Sequence, residues 1–283
     1  NLLMQFTKGN IFFWSFILSY SQIFFSNKKL FAVLLLVSTF LDFYTGICGL
    51  LAAMMANGIA YLMGLDKTKI KNGLYGFNSL LVGLGLGVYY HFDVVLVAII
   101  IIASVLTLFI TVFMEGFLYK FKLPFLSLPF ILGIWIITIS ARHFEALQIS
   151  ERSVYFINDL YHLGGHGLVK VYENFTNMKV PKILDVYLNS LGAIYFQSNI
   201  IAGVIVAIGL LWYSRIAFIL SWLGLFAAYY FYVITKADFT QVSYTYIGFN
   251  FILTAIASGG FFVISGKRSV LWMMMLMPLV VIF

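Results

Sequence analysis

The sequence predicts an all-α polytopic membrane protein made of two related halves. The prediction rests on the composition, on long apolar segments without charge and on a motif that occurs twice. Of the 283 residues, 63% are hydrophobic and 10% are charged, whereas a soluble domain carries about 25% charged residues. A chain with so little charge cannot cover a water-exposed surface. This excludes a soluble enzyme, a disulfide-stapled secreted module and a disordered chain.

The apolar segments are long enough for a membrane. A helix crosses a bilayer with roughly 20 apolar residues. Segments of about this length contain no Asp, Glu, Lys or Arg, and they are Val94–Met114, Leu123–Ala141, Val186–Ser214, Ile216–Thr235 and Phe239–Gly266. We therefore expect an integral, multi-pass protein of the cell (inner) membrane, with the lipid bilayer as its surroundings.

The first half adds segments of other kinds. Leu30–Leu41 is short for a full crossing, so we expect it to be tilted or extended by its flanks. Phe43–Leu65 is long enough to span. The charged loop Asp66–Asn72 then leads to the glycine-rich apolar segment Gly73–Tyr90. Its glycines are Gly73, Gly76, Gly83, Gly85 and Gly87, and they indicate an interrupted apolar segment.

The charge distribution divides the chain. Residues 142–182 hold 9 of the 27 charged residues. We interpret this region as an extramembrane connection between a first membrane repeat, 1–141, and a second membrane repeat, 183–283. The second repeat is expected to be incomplete at its C-terminal end.

Several function classes find no support in the residues. A single cysteine, Cys48, excludes an intramolecular disulfide and a multi-cysteine metal site, so we predict no metal and no cofactor. The net charge of +7 is typical of Lys and Arg in loops beside a membrane, and no nucleic-acid partner is expected. Asp42 and Glu115 lie at the ends of apolar segments, which leaves no carboxylate for ion coupling and favours a passive pore.

The two halves share a motif. Gly73–Gly87 reads GLYGFNSLLVGLGLG and Thr245–Gly259 reads TYIGFNFILTAIASG. Both copies contain Gly-Phe-Asn at the same place, and Leu81/Leu253 and Gly87/Gly259 are identical as well. Interrupted glycine-rich segments at matching places in two halves point to a transport site at the repeat interface. The alternative is chance, because the chain contains 23 Gly and 30 Phe.

These residues resemble a known family. GLYGFNSLLVGL, Gly73–Leu84, resembles the pore motif of the urea transporter family, and KLPFLSLPF, Lys122–Phe130, resembles the Leu-Pro-x-x-Thr-x-Pro-Phe motif that follows it. SQIFFSN at Ser21–Asn27 and LGAIYFQSN at Leu191–Asn199 resemble the two copies of a Gln-x-x-Phe-x-Asn-Asn stretch. The motifs occur in the family's order.

The resemblance implies an architecture and an activity. It implies two inverted repeats about a pseudo-two-fold axis, with two broken pore helices that meet near the membrane centre. It also implies a homotrimer with one pore in each subunit. Members of the family pass urea as a channel, down its gradient.

Motif position then assigns the walls of a slot. Phe77 and Leu81 would form one wall, and Phe249 and Leu253 the opposite wall. Each pair is spaced i, i+4 and shares one helix face. The alternative for the two phenylalanines is core packing or contact with lipid.

The polar positions follow in the same way. Gln22 would offer its amide to urea at one mouth, beside Ile23, and Ile194 would lie in the corresponding stretch of the second half. A hydrogen bond between helices is the rival interpretation for Gln22. Ser127, where the family usually has Thr, would offer a hydroxyl near the centre. We expect Asn78 and Asn250 to brace the pore helices through freed backbone groups.

Some positions depart from the family pattern. Ala193 occupies the second Gln position, and Lys28 and Lys29 replace Asn-Pro in the first copy. A second segment like Pro124–Pro129 would lie past the last residue. These departures leave an alternative open, in which the chain is a membrane scaffold or solute sensor for a further domain. A third possibility keeps the pore for ammonia, water or another small neutral solute.

Overall fold

The protein folds as α-helices. The computed structural model describes residues 2–144, 147–150, 181–197, 199–236 and 248–282, with short stretches between 161 and 170, and side chains from residue 12 onward. Within these ranges the only β-pairing is an isolated bridge between Tyr90 and Ile149. The predicted all-α fold is confirmed. The chain forms two compact units, Asn1–Asp159 and Leu160–Phe283.

The first unit contains helices of very different length. Its short apolar helices lie before and after the long ones, and a five-residue helix follows the charged turn at Asp66. In chain order the helices are α1 Leu2–Gln22, α2 Lys29–Thr39, α3 Phe43–Leu62, α4 Lys67–Lys71, α5 Phe77–Tyr89, α6 Val94–Tyr119 and α7 Leu128–Ala141.

The second unit also contains short and long helices over the residues described there. Its helices are α8 Lys182–Ala193, α9 Ile200–Tyr213, α10 Arg215–Thr235, α11 Gly248–Ile256 and α12 Lys267–Ile282. A π-helical turn, Ala257–Phe261, continues α11.

Three of the described helices are long and apolar enough to cross a membrane. They are Phe43–Leu62, Val94–Tyr119 and Arg215–Thr235. Shorter apolar helices of 10–17 residues lie beside them in the chain, and they include α2, α5, α7 and α9. Val94–Met114 and Ile216–Thr235 were therefore predicted within a few residues, because hydropathy alone marks such helices.

Two of the uncharged apolar segments are not continuous helices. Val186–Ser214 is not one helix, because the chain breaks between α8 and α9, where Phe196 takes a left-handed φ of 59°. Leu123–Ala141 is helical only from Leu128, because Leu126 also has a positive φ, 45°. A left-handed residue cannot continue a right-handed helix.

The break after α1 in the first unit has the same local geometry as the break after α8 in the second unit. In the first unit, Phe24 and Ser26 donate their backbone N–H to the carbonyl of Ser21. In the second unit, Tyr195 and Gln197 make the same two bonds to Gly192. Phe25 and Phe196 occupy the same place and have φ values of 57° and 59°. The sequence repeat therefore corresponds to a repeat in local backbone structure.

Each unit also packs its Gly-Phe-Asn helix on the preceding long helix through one small residue and one glycine. A Cβ placed on Gly83 of α5 would lie 2.5 Å from the Cβ of Ala52 on α3. In the second unit the two residue types are exchanged, and a Cβ on Gly224 of α10 would lie 2.5 Å from the Cβ of Ala255 on α11. Small residues let two helix backbones approach closely in a membrane.

We expect Gly83→Ala to destabilise the first unit by about 1–3 kcal/mol, the usual cost of adding a methyl group to a packed core. The added Cβ would also lie 2.5 Å from the carbonyl oxygen of Cys48, so backbone must move. Gly116→Ala is the matched control, since a Cβ on this helical glycine of α6 meets no atom within 4 Å. Thermal unfolding in detergent should show a lower midpoint for Gly83→Ala only. Equal midpoints would contradict the close packing.

Candidate functional site

The centre of the first unit is the glycine-rich helix α5. It is preceded by Gly73, whose φ of 77° is left-handed and turns the chain into the helix. Every residue from Phe77 to Gly87 is buried. A short helix enclosed in this way must be nearly free of polar side chains, and α5 carries only Asn78 and Ser79 as buried polar residues.

Phe77 is the first residue of α5 and lies against another aromatic ring. Its side chain is 6% exposed and stacks on Phe125, with ring centroids 6.1 Å apart and an angle of 27° between the planes. Leu81, one turn further along, is 3% exposed. Sequence reasoning missed Phe125 as a partner of Phe77. The available signal was its place within the KLPFLSLPF motif.

Asn78 connects α5 to the segment before α7. Its Nδ2 donates to the carbonyl oxygen of Leu126 at 3.2 Å, and its Oδ1 accepts from the backbone N–H of Phe130 at 3.2 Å. The N–H of Phe130 is one of the groups at a helix start that have no partner within the helix. Asn78 therefore caps α7 from a different helix, 52 residues earlier.

Ser127 stands at the N-cap position of α7 without capping it. Its side chain makes no cap hydrogen bond and is half-buried. Its backbone carbonyl accepts from Ile131, and Asn78 supplies the acceptor for Phe130. The first turn of α7 is thus satisfied without the Ser127 hydroxyl.

Gln22 ends α1, and its amide bonds to the protein. Nε2 donates to the side-chain oxygen of Asn27 and, at 2.6 Å, to the backbone carbonyl of Asn72. The side chain is half-buried, as is that of Ile23 in the following turn. These contacts join the turn after α1 to the segment before α5. The contact of Gln22 with a solute stays a prediction.

The predicted residues of the second unit are less enclosed. Phe249 and Leu253 lie on α11 and are half-buried, whereas Asn250 is exposed. Ile194 follows α8 and is 3% exposed. Asn78 finds its partners 48 and 52 residues later. The bracing role of Asn250 stays a prediction.

Among the described side chains, no Asp, Glu, Lys or Arg is buried. Lys69 of α4 pairs with Glu115 at 2.7 Å, and this hydrogen bond raises the pKa of Lys69 above its usual value. The described residues also contain no cluster of His, Cys, Asp or Glu that could hold a metal ion.

The fold and the site together indicate the class of protein to which the chain belongs. Long apolar helices, with a buried glycine-rich helix between two of them, are those of an integral membrane transport protein. A family model described as Urea transporter matches residues 14–283. The chain belongs to the urea transporter family. Members of this family are channels for urea, so the prediction that the chain is not an enzyme is confirmed.

Proposed function

We propose that the chain conducts urea passively through a slot lined by phenylalanine rings. Phe77 and Leu81 form one wall and Phe249 and Leu253 the other. The family match supports urea as the solute. The observation that carries the slot is the Phe-Asn start of a short helix in both units, each packed on a long helix through the same positions.

The chemistry of urea explains why such a slot is needed. Urea is neutral, flat and strongly hydrated, and moving its polar groups into hydrocarbon without new hydrogen bonds costs several kcal/mol. Unpaired backbone groups at broken helices replace those bonds where they line a cavity. Around Ser127 the chain turns between Leu126 and α7, and a hydroxyl that does not cap the helix is available there. Flat rings on both sides reject a hydrated ion by size.

The distribution of charge supports passive flow. Ion-coupled transporters place carboxylates within their membrane helices. The described membrane segments bury serine, threonine and asparagine but no Asp or Glu. Transport should therefore follow the urea gradient alone.

Stopped-flow light scattering on proteoliposomes tests the proposal. After an osmotic urea jump, we expect reswelling that depends on the protein and does not change when ionophores remove proton and sodium gradients. Phe249→Trp should slow urea entry by at least about tenfold, because overfilling a narrow site costs more than 1.4 kcal/mol. Trp212→Phe, on an exposed residue of α9, is the control.

The outcomes separate the candidate functions. If vesicles with protein inserted in both orientations show no urea-dependent reswelling, the channel is rejected. The scaffold or sensor then remains. Equal flux of wild type and Phe249→Trp would reject the slot but not the channel. Ammonia and water permeability, measured on the same vesicles, decides whether another small solute is preferred.

The assembly is proposed from the family resemblance. We propose a homotrimer in the cell (inner) membrane, in which each subunit has its own pore, and the division into 1–141, 142–182 and 183–283. Native mass spectrometry of the detergent-extracted protein should give three copies per particle. A monomer retaining full flux would show that one subunit suffices.

A further inference from the structure

A buried polar cluster lies where the chain enters α5. It consists of Ser19 on α1 and Asn57 on α3, both 0% exposed, and of the backbone at Gly73. Asn57 Nδ2 donates to Ser19 Oγ at 3.0 Å and to the carbonyl of Ala53 at 2.9 Å. The Ser19 hydroxyl lies 3.0 Å from the carbonyl of Gly73 and 3.0 Å from that of Ser15 in its own helix. Three segments that are distant in sequence are joined at this point.

The chain between Gly73 and α5 is pressed against this cluster. A Cβ on Gly76 would overlap the Nδ2 of Asn57 and the Oγ of Ser19. A Cβ on Gly73 would overlap the backbone of α1 at Ser19. The next residue after Gly76 is Phe77. We therefore expect any shift of the cluster to move Phe77, whose ring is proposed to line the slot.

Stability alone does not explain why Asn57 occupies this buried position. Asn57 Oδ1 is buried and accepts no hydrogen bond from any described residue. An unpaired buried oxygen costs about 1–3 kcal/mol, and an apolar side chain of similar volume would avoid that cost. What an apolar side chain could not do is hold Ser19 in place from α3. When Gly76 is aligned with Gly248, Tyr229 corresponds to Asn57. The asparagine is therefore not repeated in the second half.

We propose that Asn57 and Ser19 are positioning residues for conduction. By fixing the start of α5 they fix the ring of Phe77, and so they set the size limit for solutes that pass it. This inference rests on the proposed function. It assigns selectivity to two residues that do not face the solute.

The test is the ratio of urea to N-methylurea permeability in proteoliposomes, with Asn57→Leu and Ser19→Ala. A loss of folded protein lowers both permeabilities equally, whereas a displaced ring changes their ratio. We expect the ratio to fall about fivefold, the equivalent of one net hydrogen bond. Ser38→Ala is the matched control, because Ser38 is 0% exposed and its hydroxyl bonds only to its own helix, at Leu35. Its ratio should equal that of wild type.

The failures of the two proposals differ. Absence of urea flux in wild type would reject the proposed function and the inference with it. Wild-type flux with an unchanged ratio in both variants would overturn the inference alone. If neither variant inserts while Ser38→Ala does, the cluster serves folding rather than selectivity, and the inference is likewise wrong.

Discussion

Asn78→Leu is expected to abolish urea flux and to lower the free energy of unfolding by about 2–4 kcal/mol. The substitution leaves the carbonyl of Leu126 and the N–H of Phe130 without their partner, and the loss of each of these part-buried hydrogen bonds costs about 1–2 kcal/mol. The same change releases the segment that carries Phe125, the ring stacked on Phe77. Thermal unfolding and vesicle reswelling on one preparation measure both effects.

Two further variants make this result specific. Asn78→Gln keeps both the amide donor and the amide acceptor on a side chain that is one methylene longer, so its stability should lie between wild type and Asn78→Leu. Asn250→Leu changes the equivalent residue of the second half. Because Asn250 is exposed, its stability effect should stay within about 0.5 kcal/mol. A loss of less than about 0.5 kcal/mol for Asn78→Leu would contradict the cross-helix cap, whereas an equal loss for Asn250→Leu would show that Asn250 also braces its helix.

The sequence alone does not predict that Asn78 is buried whereas Asn250 is exposed. Gly-Phe-Asn is identical in both copies, and local sequence predicts the same short helix start twice. Burial of Asn78 depends on partners 48 and 52 residues away. A contact over that distance is set by packing, and no local pattern contains it. For the same reason the stacking of Phe125 on Phe77 was missed.

Helix existence was easier to predict than helix breaks. Val94–Met114 is an uninterrupted apolar run, and a helix of that length follows from the need to satisfy backbone groups in lipid. The break inside Val186–Ser214 lies at Phe196, which is neither Gly nor Pro. The usable signal was Asn199, which caps α9 by accepting from Ala202 at 2.7 Å. An N-cap residue inside an apolar run is a reason to divide it.

The paired glycines show what the repeat itself could predict. Gly83 faces Ala52 in one unit and Gly224 faces Ala255 in the other. Each contact pairs one glycine with one alanine. The glycine lies on the Gly-Phe-Asn helix in the first unit and on the long helix in the second. Small residues at matching places in the two halves therefore predict this contact from the sequence. They do not predict the Asn57 cluster, because the second half has no asparagine there.

Phe77→Ala is expected to weaken solute discrimination more than it weakens urea flux. Removing the ring takes one flat wall from the proposed slot and leaves Phe125 without its stacking partner. The gap then admits solutes larger than urea, so the urea to N-methylurea ratio should fall by at least about tenfold, or 1.4 kcal/mol of lost selectivity. The same vesicle assay, with both solutes at equal osmotic strength, measures it.

The variant carries a stability cost that must be separated from its effect on the slot. Truncating a buried phenylalanine costs about 3–5 kcal/mol, and Phe77 is 6% exposed. Phe77→Leu retains most of the apolar volume without the flat ring, so it should recover stability while the permeability ratio remains low. Phe113→Ala removes a ring that is 65% exposed on α6 and should leave the ratio unchanged. If Phe77→Leu restored the wild-type ratio, apolar bulk rather than a flat ring would set selectivity, and the aromatic slot would be wrong.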